Sequence, residues 1–137
     1  MKIYVAGKFE QKDLILLAYK KLEKLGHEVS YDWTTHKGIK PYFENKEIAE
    51  EYSEKELEGI AKSDVFIYLT DEKGTTLPME FGAALMSAKL KGKPLVYAVG
   101  YFNDKSPWFF NSLARRRNTP ERVLKEIGPA QIEHNNS

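Results

Sequence analysis

Short strand-like segments, most of them apolar throughout, alternate along this chain with longer segments whose apolar residues recur at helical spacing. The predicted strands cover residues 2–6, 27–31, 64–69, 95–99 and 113–117, and the predicted helices cover residues 11–25, 45–62, 78–90 and 120–127. Strands that are apolar on both faces need helices on both sides of the sheet, which favours parallel pairing and right-handed crossovers. The pattern therefore predicts an α/β fold, a three-layer sandwich with a flavodoxin-like parallel sheet of about five strands.

Length and charge narrow the class of protein. The chain has 137 residues, and we expect one domain over residues 1–128 followed by a polar, flexible tail over residues 129–137. Because 21 basic residues balance 20 acidic ones, we expect no binding to nucleic acid or to a membrane surface. No segment approaches the roughly 18 apolar residues of a membrane span, and the first residues lack signal-peptide character, so we expect a cytoplasmic protein.

Metal and cofactor chemistry is not expected. The chain has no cysteine and only three histidines, which excludes disulfides and thiolate zinc sites and disfavours a histidine-built metal site. In parallel α/β sheets, ligands bind beyond the carboxyl ends of the strands. We therefore expect the site where the loops after the strands converge, at residues 7–12, 32–42, 70–78 and 100–111.

Glu80 is the leading candidate for chemistry. The predicted strand at residues 64–69 delivers a Gly-Thr-Thr loop to a helix predicted to start at Pro78, which places Glu80 in the first turn of that helix. A carboxylate there could merely complement the helix dipole, and the dipole would keep it ionised. Gly82 and the alanines behind it permit the close approach of a ligand, although small residues also suit packing of the helix on the sheet.

Four stretches of the sequence resemble, in their order and spacing, the nucleoside 2-deoxyribosyltransferase family, which includes 2-deoxynucleoside 5-phosphate N-hydrolases. They are residues 3–9, 56–64, 79–82 and 92–94. The resemblance covers most of the chain. It implies that Glu80 is the nucleophile that attacks the anomeric carbon of a sugar, and that Tyr4 and Glu56 help to form the site.

The carboxylate chemistry fits on independent grounds. Cleavage of an N-glycosidic bond passes through an oxocarbenium-like state, which an ionised carboxylate stabilises and can trap as a glycosyl ester. Another base or water can then attack the ester, so transferase and hydrolase share the first half-reaction. Glu56 could equally belong to a solvated acidic face of its helix, whose predicted apolar positions are Ile48, Leu57, Ile60 and Ala61. Asp71 could supply a second carboxylate that handles the base, or could cap its own turn.

The sequence departs from the family at two places. Transferases of the family commonly carry an aspartate six residues before the nucleophile and the hydrolases tend to carry a serine, but here that residue is Gly74. After the first strand, Gly7 and Lys8 stand where the hydrolases tend to have a Gly-Ser turn. Lys8, Thr75 and Thr76 are candidates for holding a phosphate, although a loop lysine is commonly solvated.

Aromatic residues supply the remaining candidates. The resemblance makes Phe9 a candidate substrate contact. Trp33 could stack on a base while Asp32 or His36 binds the edges of the sugar or base. Alternatively, Trp33 only covers the core. Trp108 and the two residues after it form an aromatic cluster that suggests an interface. Since family members build part of each site from a neighbouring subunit, the resemblance implies a homo-oligomer and a contribution from Asn111 in trans.

These observations together predict cleavage or transfer at the N-glycosidic bond of a nucleoside or nucleoside 5-phosphate, with no cofactor. Hydrolysis is favoured over base exchange because Gly74 removes the usual base-handling carboxylate, and water needs little positioning. Two alternatives remain: a non-catalytic nucleotide-binding module of the same fold, and an N-glycohydrolase that acts on nicotinamide dinucleotide.

Overall fold

The computed structural model describes residues 1–131 of the chain. Its strands are β1 (Lys2–Ala6), β2 (Glu28–Val29), β3 (Val65–Leu69), β4 (Leu95–Val99) and β5 (Ala114–Arg117), and its α-helices are α1 (Lys12–Lys24), α2 (Lys46–Lys62), α3 (Thr76–Lys91) and α4 (Pro120–Ile127). Within this part of the chain all strands pair in parallel, in the order β2-β1-β3-β4-β5. Helices cover both sides of the sheet, which confirms the predicted three-layer, flavodoxin-like fold.

The edge strand β2 is shorter than predicted. Only Glu28 and Val29 pair with β1, although the amide of Ser30 still donates to the carbonyl of Ile3. The strand ends because Asp32 accepts a hydrogen bond from the amide of Thr34 and caps a 3-10 turn. At the other end of the chain, the amide of Ala130 donates to the carbonyl of Leu25, and residues 132–137 of the predicted tail lie outside the described residues.

Helix α3 begins two residues earlier than predicted. It starts at Thr76, so Pro78 is the third residue of the helix rather than the first. A proline is tolerated anywhere in the first turn, because amides there have no partner within the helix. Glu80 is consequently the fifth residue of α3 and lies on its buried face, beyond the first turn in which the sequence placed it.

The buried face of α2 matches the predicted apolar positions at Ile60 and differs from them at Ile48, Leu57 and Ala61. Ile48 and Leu57 are exposed, whereas Gly59 and Ile60 are buried. The buried and half-buried positions run along the helix at a spacing of three to four residues, and they include a half-buried Glu56. Gly59 and Glu56 therefore lie on the side of α2 that faces the protein.

Gly59 brings α2 against the residues of the central strands. A Cβ atom at residue 59 would lie 2.6 Å from Cβ of Tyr31 and 3.2 Å from two ring carbons of Tyr4. The Tyr4 ring in turn stacks on Phe66 of the neighbouring strand β3, with centroids 5.6 Å apart. The absence of a side chain at residue 59 thus leaves room for the fully buried Tyr4 ring.

We expect Gly59→Ala to destabilise the protein by about 1–3 kcal/mol, because the overlap with Tyr31 and Tyr4 outweighs the roughly 0.5–1 kcal/mol that alanine contributes inside a helix. Urea unfolding measures the difference. Gly38→Ala is the matched control, since nothing lies within 4 Å of a Cβ atom there. An unchanged unfolding midpoint for Gly59→Ala would contradict the close approach.

Candidate active site

Tyr4 and Glu80 form a buried hydrogen bond between β1 and α3. The Tyr4 hydroxyl donates to Oε1 of Glu80 at 2.7 Å. Tyr4 is fully buried and Glu80 is only 9% exposed, so the pair is removed from bulk water. The two residues are 76 positions apart in sequence, and the fold brings together these two candidates from the sequence analysis.

The electrostatics of Glu80 differ from the expectation. Burial raises the pKa of Glu80 to about 8, the charge of Glu56 adds to the rise, and the hydrogen bond from Tyr4 opposes it. The expectation that the helix N-terminus keeps Glu80 ionised is wrong, because Glu80 lies beyond the first turn and desolvation dominates. Burial, together with the charges of Glu80 and Glu56, also raises the pKa of Tyr4 far above its usual range, so Tyr4 stays a hydrogen-bond donor.

Glu56 belongs to the same electrostatic environment. Burial raises the pKa of Glu56, and its carboxylate lies 3.5 Å from Nδ1 of His36. The acidic residues around it on α2 are solvated, and two of them, Glu51 and Glu58, form ion pairs with the lysines four residues on. Glu56 is therefore not part of the exposed acidic face of α2.

Asp71 forms an ion pair with Lys8 across two loops at the carboxyl edge of the sheet. Lys8 Nζ lies 3.0 Å from Oδ2 of Asp71, and the Tyr68 hydroxyl donates to Oδ1 at 3.4 Å. Gly74 has a φ of +150°, which strongly favours glycine, and a Cβ atom there would lie 3.3 Å from Oδ2 of Asp71. The Asp71 carboxylate thus lies next to the position that a side chain at residue 74 would occupy.

The aromatic candidates separate into buried and exposed groups. Trp33 is buried and its indole N–H donates to the carbonyl of Val5, which matches the interpretation that it covers the core. Phe109, a member of the cluster that suggested an interface, is instead buried in the core against Phe81 and Tyr68.

Trp108 lies over α3. A Cβ atom at Gly82 would lie 3.4 Å from its ring, so Gly82 packs against an aromatic side chain. Trp108 and Phe110 are more than half exposed, and Asn111 is exposed with Oδ1 accepting from the amide of Leu113. Association of the chain with a second copy stays a prediction.

The remaining candidates are placed as follows. Gly7 is buried with Ile15 against it, and Asp32 caps the 3-10 turn described above. Phe9, Thr75 and Thr76 are exposed around the carboxyl edge of the sheet. Contact of any of these residues with a substrate stays a prediction.

One group of residues was not found as a unit from the sequence. His36 stacks on Tyr52 with ring centroids 3.7 Å apart, and its Nε2 is hydrogen-bonded to the Tyr31 hydroxyl. The other ring nitrogen, Nδ1, lies 3.5 Å from Oε1 of Glu56. The available signal was that Tyr52 and Glu56 are four residues apart and so share one face of a helix.

A largely apolar cavity of about 380 Å³ lies at the ends of β3 and β4 and is lined also by α1, α4 and three of the loops in which a site was expected, but not by Tyr4, Glu56 or Glu80. The acid and base in its lining, Glu121 and Lys21, lie 3.9 Å apart. Among residues 1–131 there is no cluster of three or more side chains suited to a metal ion, and none of their helices is both long and apolar enough to span a membrane. The candidate site is therefore defined by Glu80 and its neighbours rather than by the cavity.

The chain is similar to the solved structure of a Clostridium botulinum CMP N-glycosidase, BcmB. The TM-score is 0.57 at 16% sequence identity, and the alignment covers 93% of this chain and 98% of that chain. No protein-family model and no curated protein matches the sequence. The likeness shows that the two proteins share a fold.

The raised pKa of Glu80 predicts how stability depends on pH. Between its unfolded-state pKa of 4.5 and its folded-state pKa of about 8, Glu80 holds a proton in the folded protein but not in the unfolded chain. Its contribution to stability is therefore complete below about pH 4.5 and is lost as the pH rises to about 8. Glu80→Gln should remove this loss, which amounts to at most about 1.4 kcal/mol per pH unit.

Urea unfolding of both proteins across this range tests the prediction. The difference in unfolding free energy, variant minus wild type, should grow with pH and level off above about 8. Glu54→Gln, on the exposed face of α2, is the control and should show no such trend. A constant difference for Glu80→Gln would show that Glu80 is solvated.

Proposed function

We propose that this protein cleaves the N-glycosidic bond of a nucleoside or nucleoside 5-phosphate, with Glu80 as the nucleophile. The observation that carries the proposal is the buried Tyr4–Glu80 hydrogen bond with Glu56 in electrostatic reach. A carboxyl group held in a buried site beside a second carboxyl group is the arrangement that glycosidic cleavage uses. The shared fold with a CMP N-glycosidase supports a nucleotide as the substrate class.

The first step forms a bond from a Glu80 oxygen to the anomeric carbon while the bond from that carbon to the base nitrogen breaks. The electron pair of the broken bond goes to the base, which takes up a proton. In the free protein Glu80 carries a proton at neutral pH, and the positive charge that develops on the sugar favours its ionised form. The proton that Glu80 gives up is then available to Glu56 and, through Glu56, to the leaving base.

Tyr4 and Glu56 have distinct roles in this scheme. The Tyr4 hydroxyl stabilises the ionised form of Glu80 and orients one of its oxygens. In the second step water attacks the anomeric carbon of the ester, its proton passes to Glu56, and Glu80 leaves as a carboxylate. The products are the free base and the free sugar or sugar phosphate, and the step needs no cofactor.

Hydrolysis rather than base exchange is the proposed outcome. The Asp71 carboxylate lies near the position where the resembling transferases carry an aspartate, but Lys8 already pairs with it at 3.0 Å. A carboxylate engaged in an ion pair is a poorer acceptor for the edge of an incoming base. Water reaches the ester without such recognition.

Incubation of the purified protein with nucleosides, nucleoside monophosphates and nicotinamide dinucleotide, followed by chromatography for released base, tests the activity. We expect base release from a nucleoside or its 5-phosphate, and a loss of at least about a thousandfold in Glu80→Gln. Glu54→Gln should keep wild-type turnover.

Other outcomes identify the alternatives. Binding of nucleotides without release would support a non-catalytic nucleotide-binding module. Release of nicotinamide alone would support an N-glycohydrolase of the dinucleotide. Near wild-type turnover by a folded Glu80→Gln protein would exclude Glu80 as the nucleophile.

A second, chemically distinct free base, added at about millimolar concentration, measures how the glycosyl ester divides between attack by water and attack by the base. We expect free sugar or sugar phosphate to exceed the new nucleoside. Lys8→Met frees Asp71 for base recognition and should raise the share of exchange. A dominant new nucleoside from the wild-type protein would mean that Asp71 handles the base despite its ion pair.

A further inference from the structure

His36 is fixed by contacts from two directions. Its ring stacks flat on Tyr52 of α2, at an interplanar angle of 4°, and its Nε2 meets the hydroxyl of Tyr31, which follows β2. The His36 side chain is only 13% exposed. A ring held on one face and at one nitrogen has little freedom to rotate, so the direction of its other nitrogen is defined.

The hydrogen-bond partners favour one form of the His36 ring. Burial raises the pKa of the Tyr31 hydroxyl, so Tyr31 keeps its proton and can donate to Nε2. Burial and the charge of Lys55 lower the pKa of His36, so the ring is neutral at neutral pH. With Nε2 as the acceptor, the ring proton is on Nδ1, and this nitrogen lies 3.5 Å from Oε1 of Glu56.

The ionisable groups around His36 come from the loop after β2 and from α2. They are Tyr31, Asp32, Glu51, Tyr52, Lys55 and Glu56. The pair Glu51 and Lys55 is exposed and its members bond to each other, and Asp32 caps the turn before His36. Glu56 is the member of this set whose charge acts on both Glu80 and Tyr4.

We propose that His36 is a positioning residue whose Nδ1–H holds the carboxyl group of Glu56 in the orientation in which Glu56 exchanges a proton with the leaving base. This inference rests on the proposed function, and it assigns His36 no contact with the substrate. Tyr31 fixes the tautomer of the His36 ring and Tyr52 fixes its plane. The three residues together hold Glu56 in position.

The test compares His36→Ala with His36→Asn, whose amide N–H can replace Nδ1–H. His36→Ala should lower kcat/KM for base release by about 10- to 100-fold, as misplacement of a catalytic group does, and His36→Asn should recover most of the loss. Glu54→Gln, on the exposed face of α2, should leave turnover unchanged. Tyr31→Phe removes only the hydroxyl and should lower turnover in the same direction as His36→Ala.

The pH profile separates positioning from a general structural defect. Without the N–H donor, Glu56 holds a proton more readily. The proposed mechanism needs an ionised Glu56 to accept the proton of Glu80, so the rising limb of kcat/KM should move to higher pH in His36→Ala. In a Glu56→Gln background, His36→Ala should change kcat/KM by less than about twofold. An equal loss in both backgrounds, or a wild-type profile for His36→Ala, would overturn the proposal.

A measurement without turnover keeps this proposal distinct from the proposed function. Carbon-13 NMR of labelled glutamate carboxyl groups follows the titration of Glu56 directly. We expect the Glu56 titration to move to higher pH in His36→Ala and to return towards the wild-type position in His36→Asn. An unchanged titration would refute the role of His36, whereas a lack of base release from every substrate would refute the proposed function instead.

Discussion

The candidate site depends on the burial of the Glu80 carboxyl group against Tyr4. Removing a carboxyl group from water disfavours its charged form, and the single hydrogen bond from Tyr4 does not offset that cost, since the pKa of Glu80 remains at about 8. Tyr4 itself is held by Phe66 in the sheet and by the room that Gly59 leaves in α2. The Glu80 carboxyl group is therefore positioned by packing of the sheet and two helices rather than by a flexible loop.

The parts of the fold that local chemistry dictates could be predicted from the sequence. The central strands β1, β3 and β4 are apolar nearly throughout, and only a sheet covered on both faces accommodates such strands. The start of α3 was less predictable, because Pro78 is compatible with any position in the first turn. The raised pKa of Glu80 was not predictable either, because it follows from burial and from the charge of Glu56, which no sequence spacing reports.

The loop contacts show a second limit of the sequence. Lys8 and Asp71 come from loops after β1 and β3, and their ion pair depends on the approach of two loops that are 63 residues apart in sequence. Because β1 and β3 are neighbours in the sheet, topology alone brings the loops close. Only the side-chain geometry shows that Asp71 lies beside the Cβ position of Gly74. The sequence therefore shows that residue 74 has no carboxylate, but not that a carboxylate paired with Lys8 lies beside it.

Helix α2 carries the most informative disagreement between pattern and structure. Two of its strongly apolar residues, Ile48 and Leu57, are exposed, while a stripe with Tyr52, Glu56 and Gly59 faces the protein. The hydrophobic effect alone would place a glutamate outside and a leucine inside, so another constraint has prevailed. The contacts of this stripe explain its burial. The stripe supplies the Tyr52 ring under His36, the Glu56 carboxyl group and, at Gly59, the space for Tyr4. Local rules of folding tend to be broken at functional positions, and in this chain the break falls on the helix that completes the candidate site.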